Sequence, residues 1–243
     1  MLKRFLSVAA IGLLLVSAVA SADEATIRKA AAAKFPRANV QSVTKLPYLG
    51  LYEVVLSGEI LYADENFDYI IYEGNIIDTK NDRNFTEERK RKLTSIPFEE
   101  LPLDLAIKKV KGKGERKVAI FTDPDCPFCK RIEQDLTKVD NVTIYYFLYP
   151  IDSLHPQATE KAKKIWCSPD KMKAWDDYMQ KGTAPTAASS CDNPVAKLTE
   201  FGGKRGINAT PTLVFANGER VPGAISSAQI EKLLGTPAPP KTN

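Results

Sequence analysis

Two of the four cysteines in this 243-residue chain are separated by a dipeptide, Cys126-Pro127-Phe128-Cys129. A thiol pair at i and i+3 fits the first turn of a helix, where unpaired backbone N–H groups and the helix dipole favour a thiolate. That placement makes Cys126 a nucleophile and a good leaving group. Cys129, one turn further in, is expected to be more buried and less ionised. Pro127 suits the first helical position, because the N–H it lacks would have no partner there. The spacing alone admits thiol–disulfide exchange, half of a zinc site or an inert local disulfide. Cys167 and Cys191 lie too far apart for a usual second zinc knuckle, so exchange is the reading carried forward, with no metal and no organic cofactor.

A second feature lies far downstream. Thr210-Pro211 immediately precedes the strand-like run 212–215 (TLVF). A proline entering a central sheet has no ladder donor to give. A cis peptide is one reason for its presence, and a plain strand start is another. Other polar residues are less distinctive. Asp123 and Asp125 precede Cys126 and either raise its pKa, move a proton or cap the loop. His155, the single histidine, is read as a surface or capping residue. Asn84, Asn141 and Asn208 fit the N-x-[ST] pattern by chance, since a glycan at Asn208 would obstruct the Thr-Pro loop.

The elements that must position these residues follow from periodicity and punctuation. Strand-like runs at 118–122 and 142–148 flank a helix expected from 126 to about 138. Helices are expected at 156–167, 169–181 and 194–205, with Trp166, Met172, Trp175 and Tyr178 as core. Asn217-Gly218 signals a hairpin between 212–215 and 219–221, and a helix at 226–234 closes the fold. Upstream, the Ala- and Lys-rich run 24–34 predicts a helix ended by Pro36. Strands at 52–56, 60–62, 69–72 and 75–78, separated by turn residues, predict an antiparallel meander. About 60 residues make a marginal core, which a second copy of the chain would complete. Between the two regions, Thr86 is expected to cap a helix that Pro97 and Pro102 interrupt. The basic run 108–117 then reads as a solvated hinge, because no aromatic residues interleave it as a nucleic-acid surface would require.

Composition fits this picture. Hydrophobic residues make up 44%, the ordinary share for a globular chain, and the net charge of +4 comes from mixed signs, which argues against nucleic acid as a partner. Residues 1–22 resemble an export signal. Lys3 and Arg4 precede an apolar run over 5–19, and Ala20-Ser21-Ala22 fits a cleavage site. The alternative, a membrane anchor, needs a span of about 20 apolar residues. Export permits stable disulfides.

Strand–CPFC–helix, followed by a Thr-Pro loop, hairpin and final helix, resembles the thioredoxin fold. The motifs VLSGEILY, FTDPDCPFCK, IWCSPDKMKAWDDYM, SSCDNP and ATPTLVFANGERVPG make nearly all of the mature chain similar to the DsbC/DsbG family of periplasmic disulfide isomerases. The resemblance implies an α+β protein: a thioredoxin-like catalytic domain with a helical insertion, and a small cystatin-like N-terminal dimerisation domain joined to it by a helical linker. The expected parts are a signal peptide at 1–22, the dimerisation domain at 23–85, the linker at 86–117, the catalytic domain at 118–236 and a flexible tail at 237–243. It implies Cys126 as the attacking thiol, Cys129 as the resolving thiol, Thr210 and a cis Pro211 contacting substrate backbone, and a structural disulfide between Cys167 and Cys191. Closing a loop of 24 residues is worth about 3.5 kcal/mol in the chain-entropy model. Implied partners are misfolded exported proteins with disulfides, a membrane reductase of the DsbD type and a second copy of the chain, in the periplasm of a Gram-negative bacterium. The dipeptide Pro-Phe departs from the Gly-Tyr usual in DsbC. It leaves open a DsbG-like reductase of sulfenylated cysteines, besides a holdase chaperone independent of the cysteines.

Overall fold

The computed structural model describes residues 18–235. Most of the expected export signal and the expected tail therefore lie outside the described residues. The chain divides into two compact units, the first ending at Leu93 and the second beginning at Thr94.

In the first unit, helix α1 (Ala18–Lys34) precedes β1 (Val40–Lys45), β2 (Tyr52–Leu56), β3 (Glu59–Ala63) and β4 (Ile70–Tyr72). The four strands form one antiparallel sheet in chain order. Period-two alternation divides its residues between two faces. Tyr52, Val54, Leu56 and Leu61 pack with Ile27 and Ala31 of α1. Val55, Ile60 and Tyr62 face the other way, toward Leu46, Ile76 and Leu93. A short ribbon, β5 (Ile77–Asp78) with β6 (Arg83–Asn84), leads into α2 (Phe85–Thr94). The cap of α2 differs from expectation. The Asn84 side chain accepts from the Glu87 N–H at 3.0 Å, as an N-cap does, while Thr86 is buried and bonds to Tyr62 and to the Ile76 N–H. Strand β1 was not anticipated, because VQSVTK buries only Val43.

The second unit holds a five-stranded sheet in the order β11-β10-β8-β9-β7. Its members are β7 (Ile107–Lys111), β8 (Arg116–Thr122), β9 (Val142–Leu148), β10 (Thr212–Phe215) and β11 (Arg220–Pro222). The central β8 and β9 run parallel, joined by α3 (Pro127–Leu136), and every other pair is antiparallel. Val118, Ile120, Ile144, Tyr146 and Leu148 bury one face with α3, α5 (Lys171–Lys181) and α7 (Ser227–Leu234). Ala119, Phe121, Tyr145 and Phe147 bury the other with Leu198 of α6 (Val195–Lys204). Helix α4 (Ala158–Cys167) and α5 form the helical insertion.

The expected linker at 86–117 is corrected. Beyond α2 the chain makes short 3-10 turns at Phe98–Glu100 and Leu103–Leu105, directly after Pro97 and Pro102, and then enters the sheet as β7. Ile96, Phe98 and Leu101 are buried in the core of the second unit. The supposed hinge is in part an edge strand, IKKVK, whose lysines have specific partners. Lys109 binds Asp176 at 2.7 Å, and Lys111 donates to the carbonyls of Leu136 and Thr137 at the end of α3, where the helix dipole favours a cation.

Candidate active site

Strand β8 delivers the chain to Thr122, and the loop Asp123-Pro124-Asp125 turns it into α3 with Cys126 at the N-cap and Pro127 in the first turn. No side chain caps this helix, so its first N–H groups are available to the Cys126 sulfur. Cys126 and Cys129 are both free thiols. Cys126 keeps 4% of its surface exposed and Cys129 none, while Phe128 between them is 58% exposed.

The two thiols are held in opposite protonation states. The Cys126 thiol is drawn down to about 5, first by the Cys129 thiol donating to it, then by the Thr210 side chain and the N–H groups of Cys129 and Phe128, with burial opposing. Cys129 is pushed far up by burial and by its neighbour's charge. At neutral pH this is a thiolate beside a thiol.

The partner loop arrives from β10. Register places Thr212 opposite Phe121 of β8, which carries the preceding Thr210–Pro211 step to the start of α3. That peptide bond is cis. The protonated Cys126 Sγ donates to the Thr210 carbonyl at 3.3 Å, and the Pro211 carbonyl accepts from Gly223 N–H at 2.7 Å. Tyr149 anchors the approach to this loop by donating to the Ile207 carbonyl at 2.8 Å. Its ring lies where a Cβ at residue 202 would stand, so α6 requires Gly202 there.

Charged side chains brace the loop that carries the thiols. Asp123 is fully buried, and its carboxylate accepts from Asp125 N–H, Ile151 N–H and His155. His155 is thus tied to the active loop rather than to the surface. Burial raises the Asp125 carboxyl, but Lys161 at 2.7 Å and the Tyr178 hydroxyl at 2.6 Å outweigh it and hold the pKa below its usual value. Lys130 and Lys161 both lie over the Tyr178 ring. Glu133 was missed altogether. It is 2% exposed, accepts from Tyr146 and Trp175, and burial lifts its carboxyl to about 7. The signal was present in the spacing: Cys129, Ile132, Glu133 and Leu136 share one helix face, and the other three are apolar.

Cys167 and Cys191 are joined by a disulfide that ties the end of α4 to the segment before α6. Among the described residues, no group of three or more His, Cys, Asp or Glu side chains is placed to hold a metal ion, and no helix is long and apolar enough to cross a membrane.

Known proteins resemble this chain over both of its units. The sequence matches the model of the disulfide bond isomerase N-terminal domain over residues 18–87 and that of a thioredoxin-like domain over residues 103–236. A probable thiol:disulfide interchange protein DsbC of Bordetella pertussis is 42% identical over 208 residues, spanning 86% of this chain and 73% of the relative. The thiol:disulfide interchange protein DsbC of Escherichia coli K12 is 27% identical over 221 residues, 90% of each chain. A crystal structure of a disulfide interchange protein from Neisseria gonorrhoeae is 51% identical with a TM-score of 0.53, covering 55% of this chain and 96% of that one.

Proposed function

Because the chain belongs to the DsbC family of thiol:disulfide interchange proteins, we propose that it rearranges or reduces incorrect disulfides in exported proteins, with Cys126 as the attacking and Cys129 as the resolving thiol. The observation that carries this reading is the asymmetry of the pair: Cys126 stands at the uncapped N-terminus of α3 against the Thr210–Pro211 loop, and Cys129 behind it is fully buried.

The Cys126 thiolate attacks one sulfur of a substrate disulfide, forming a mixed disulfide and releasing the other substrate sulfur as a thiolate. A substrate thiolate that then attacks the mixed disulfide releases Cys126 and leaves a rearranged bond. Alternatively, Cys129 loses its proton and attacks Cys126, which releases reduced substrate and leaves the Cys126–Cys129 disulfide. The second route consumes the dithiol, so continued action needs a reductant, for which a DsbD-type membrane protein is the candidate. Thr210 and Pro211 border the sulfur and are the substrate-backbone contact in this reading.

The same reading places the protein in the periplasm after removal of residues 1–22, as a homodimer formed through its first unit. There, Ile70 and Tyr72 of β4 are exposed at the sheet edge, and an unpaired apolar edge strand is a ready pairing surface. Reactivation of scrambled ribonuclease tests the activity. Wild-type protein should restore it and Cys126→Ala should not; equal rates would refute the assignment.

A further inference from the structure

Asp123 links both active thiols to the one histidine of the chain. Its backbone N–H donates to Cys129 Sγ at 3.4 Å, and its carbonyl accepts from the Cys126 N–H at 3.2 Å. Its carboxylate, without solvent contact, takes the N–H groups of Asp125 and Ile151 at 2.8 Å each and His155 Nδ1 at 3.0 Å. The backbone of His155 is fixed as well. Its N–H donates to the Ile151 carbonyl and its own carbonyl accepts from Ala158 at the start of α4, both at 2.9 Å. The imidazole keeps 21% of its surface exposed, so it exchanges protons with solvent.

Asp125 is matched by Lys161 and bonded by Tyr178. Asp152, on the His155 loop, is engaged by Thr159, and Lys130 on α3 lies over the Tyr178 ring. Among the described residues, Asp123 has no cation other than His155 as a hydrogen-bond partner. With the imidazole neutral, the Asp123 carboxylate keeps its two N–H donors but has no countercharge on the loop that carries Cys126, and a nearby like charge disfavours a thiolate.

We propose that His155 is a positioning residue for thiol–disulfide exchange, whose imidazolium, seated on Asp123, neutralises the active loop and thereby favours the Cys126 thiolate. The Asp123 hydrogen bond raises the imidazole pKa against burial, and the charges of Asp123, Cys126 and Asp125 raise it further. Coupling between titrating groups is mutual, so the imidazolium lowers the thiol by the amount that the thiolate raises the imidazole.

The proposal rests on Cys126 being the attacking thiol. Iodoacetamide tests it without a protein substrate, so its failure and a failure to isomerise disulfides are read separately. The rate of Cys126 alkylation is followed against pH in the full reduced chain, with the modified residue located by mass spectrometry. In His155→Gln the midpoint should rise and alkylation at the wild-type midpoint should slow about threefold, with the high-pH plateau retained. His155→Arg, which keeps the charge, should stay near wild type. An unchanged midpoint in His155→Gln, a plateau that falls with it, or an Arg profile matching the Gln profile would each overturn the proposal. A measurement free of substitutions stands beside it. The single histidine gives one imidazole titration by NMR in the untagged chain, and its midpoint should be higher in the reduced than in the oxidised protein. Equal midpoints would overturn the proposal too.

Discussion

The sulfur of Cys126 lies 3.3 Å from the carbonyl oxygen of Thr210, a residue 84 positions further along the chain. Antiparallel pairing of β10 with β8 produces that approach, and Tyr149 and Gly202 hold the segment leading to it. A short loop from the far end of the domain thus borders the sulfur at which exchange would occur.

The disulfide between Cys167 and Cys191 closes a loop of 24 residues. Replacing both cysteines by serine should lower unfolding stability by about 3.5 kcal/mol, the loop-closure value. Cys126 alkylation, measured well below the unfolding temperature, should keep its wild-type rate. Urea denaturation checks the first expectation; a loss well below 1 kcal/mol would show that the loop is held by packing alone.

The reduced protein should gain stability over the oxidised protein as pH rises. Cys126 is drawn from 9.0 to about 5 in the fold. A lowered pKa contributes stability that is complete above the unfolded value and is lost as pH falls through the folded one. The oxidised protein has no such group. The thermal midpoint of the reduced form minus that of the oxidised form should therefore fall as pH is lowered from 9.0 to about 5; a constant difference would contradict the thiolate.

Glu133 should act with the opposite sign. Burial lifts its carboxyl from 4.5 to about 7. A raised carboxyl pKa gives stability that is complete below the unfolded value and is lost as pH rises through the folded one. The loss is on the order of 3 kcal/mol. In the oxidised protein, the stability difference between wild type and Glu133→Gln should fall across that window. Urea denaturation at several pH values reads it, and a flat difference would show that Glu133 is ionised throughout.

The edge strand β4 carries the dimer proposal. Ile70 is 41% and Tyr72 61% exposed, and both lie on one side of the strand. The double variant Ile70→Lys, Tyr72→Lys should sediment as a monomer where wild type sediments as a dimer. An unchanged dimer mass would move the interface elsewhere.

The sequence revealed most where local and tertiary demands coincide. Residues 142–148 read as a strand with the boundaries of β9, since all seven are buried in the middle of a sheet. Cys126-Pro127-Phe128-Cys129 announced a helix start because proline and unpaired N–H groups suit the same position. Strand β7 escaped because an edge strand buries little, and Ile107 is its only fully buried residue. Its lysines looked like a solvated run, although Lys109 and Lys111 answer Asp176 and the end of α3. Glu133 and His155 escaped for a different reason. Their partners Trp175, Tyr146 and Asp123 lie 42, 13 and 32 positions away, so only the folded chain brings them together.

Trapping of the covalent intermediate tests most directly whether Cys126 attacks and Cys129 resolves. A disulfide-containing substrate is mixed with the reduced Cys129→Ser and Cys126→Ser variants, and adducts are located by mass spectrometry. Cys129→Ser should accumulate a mixed disulfide on Cys126, while Cys126→Ser, left with a buried and protonated thiol, should accumulate almost none. Adduct formation on Cys129 at a comparable rate in Cys126→Ser would contradict the account.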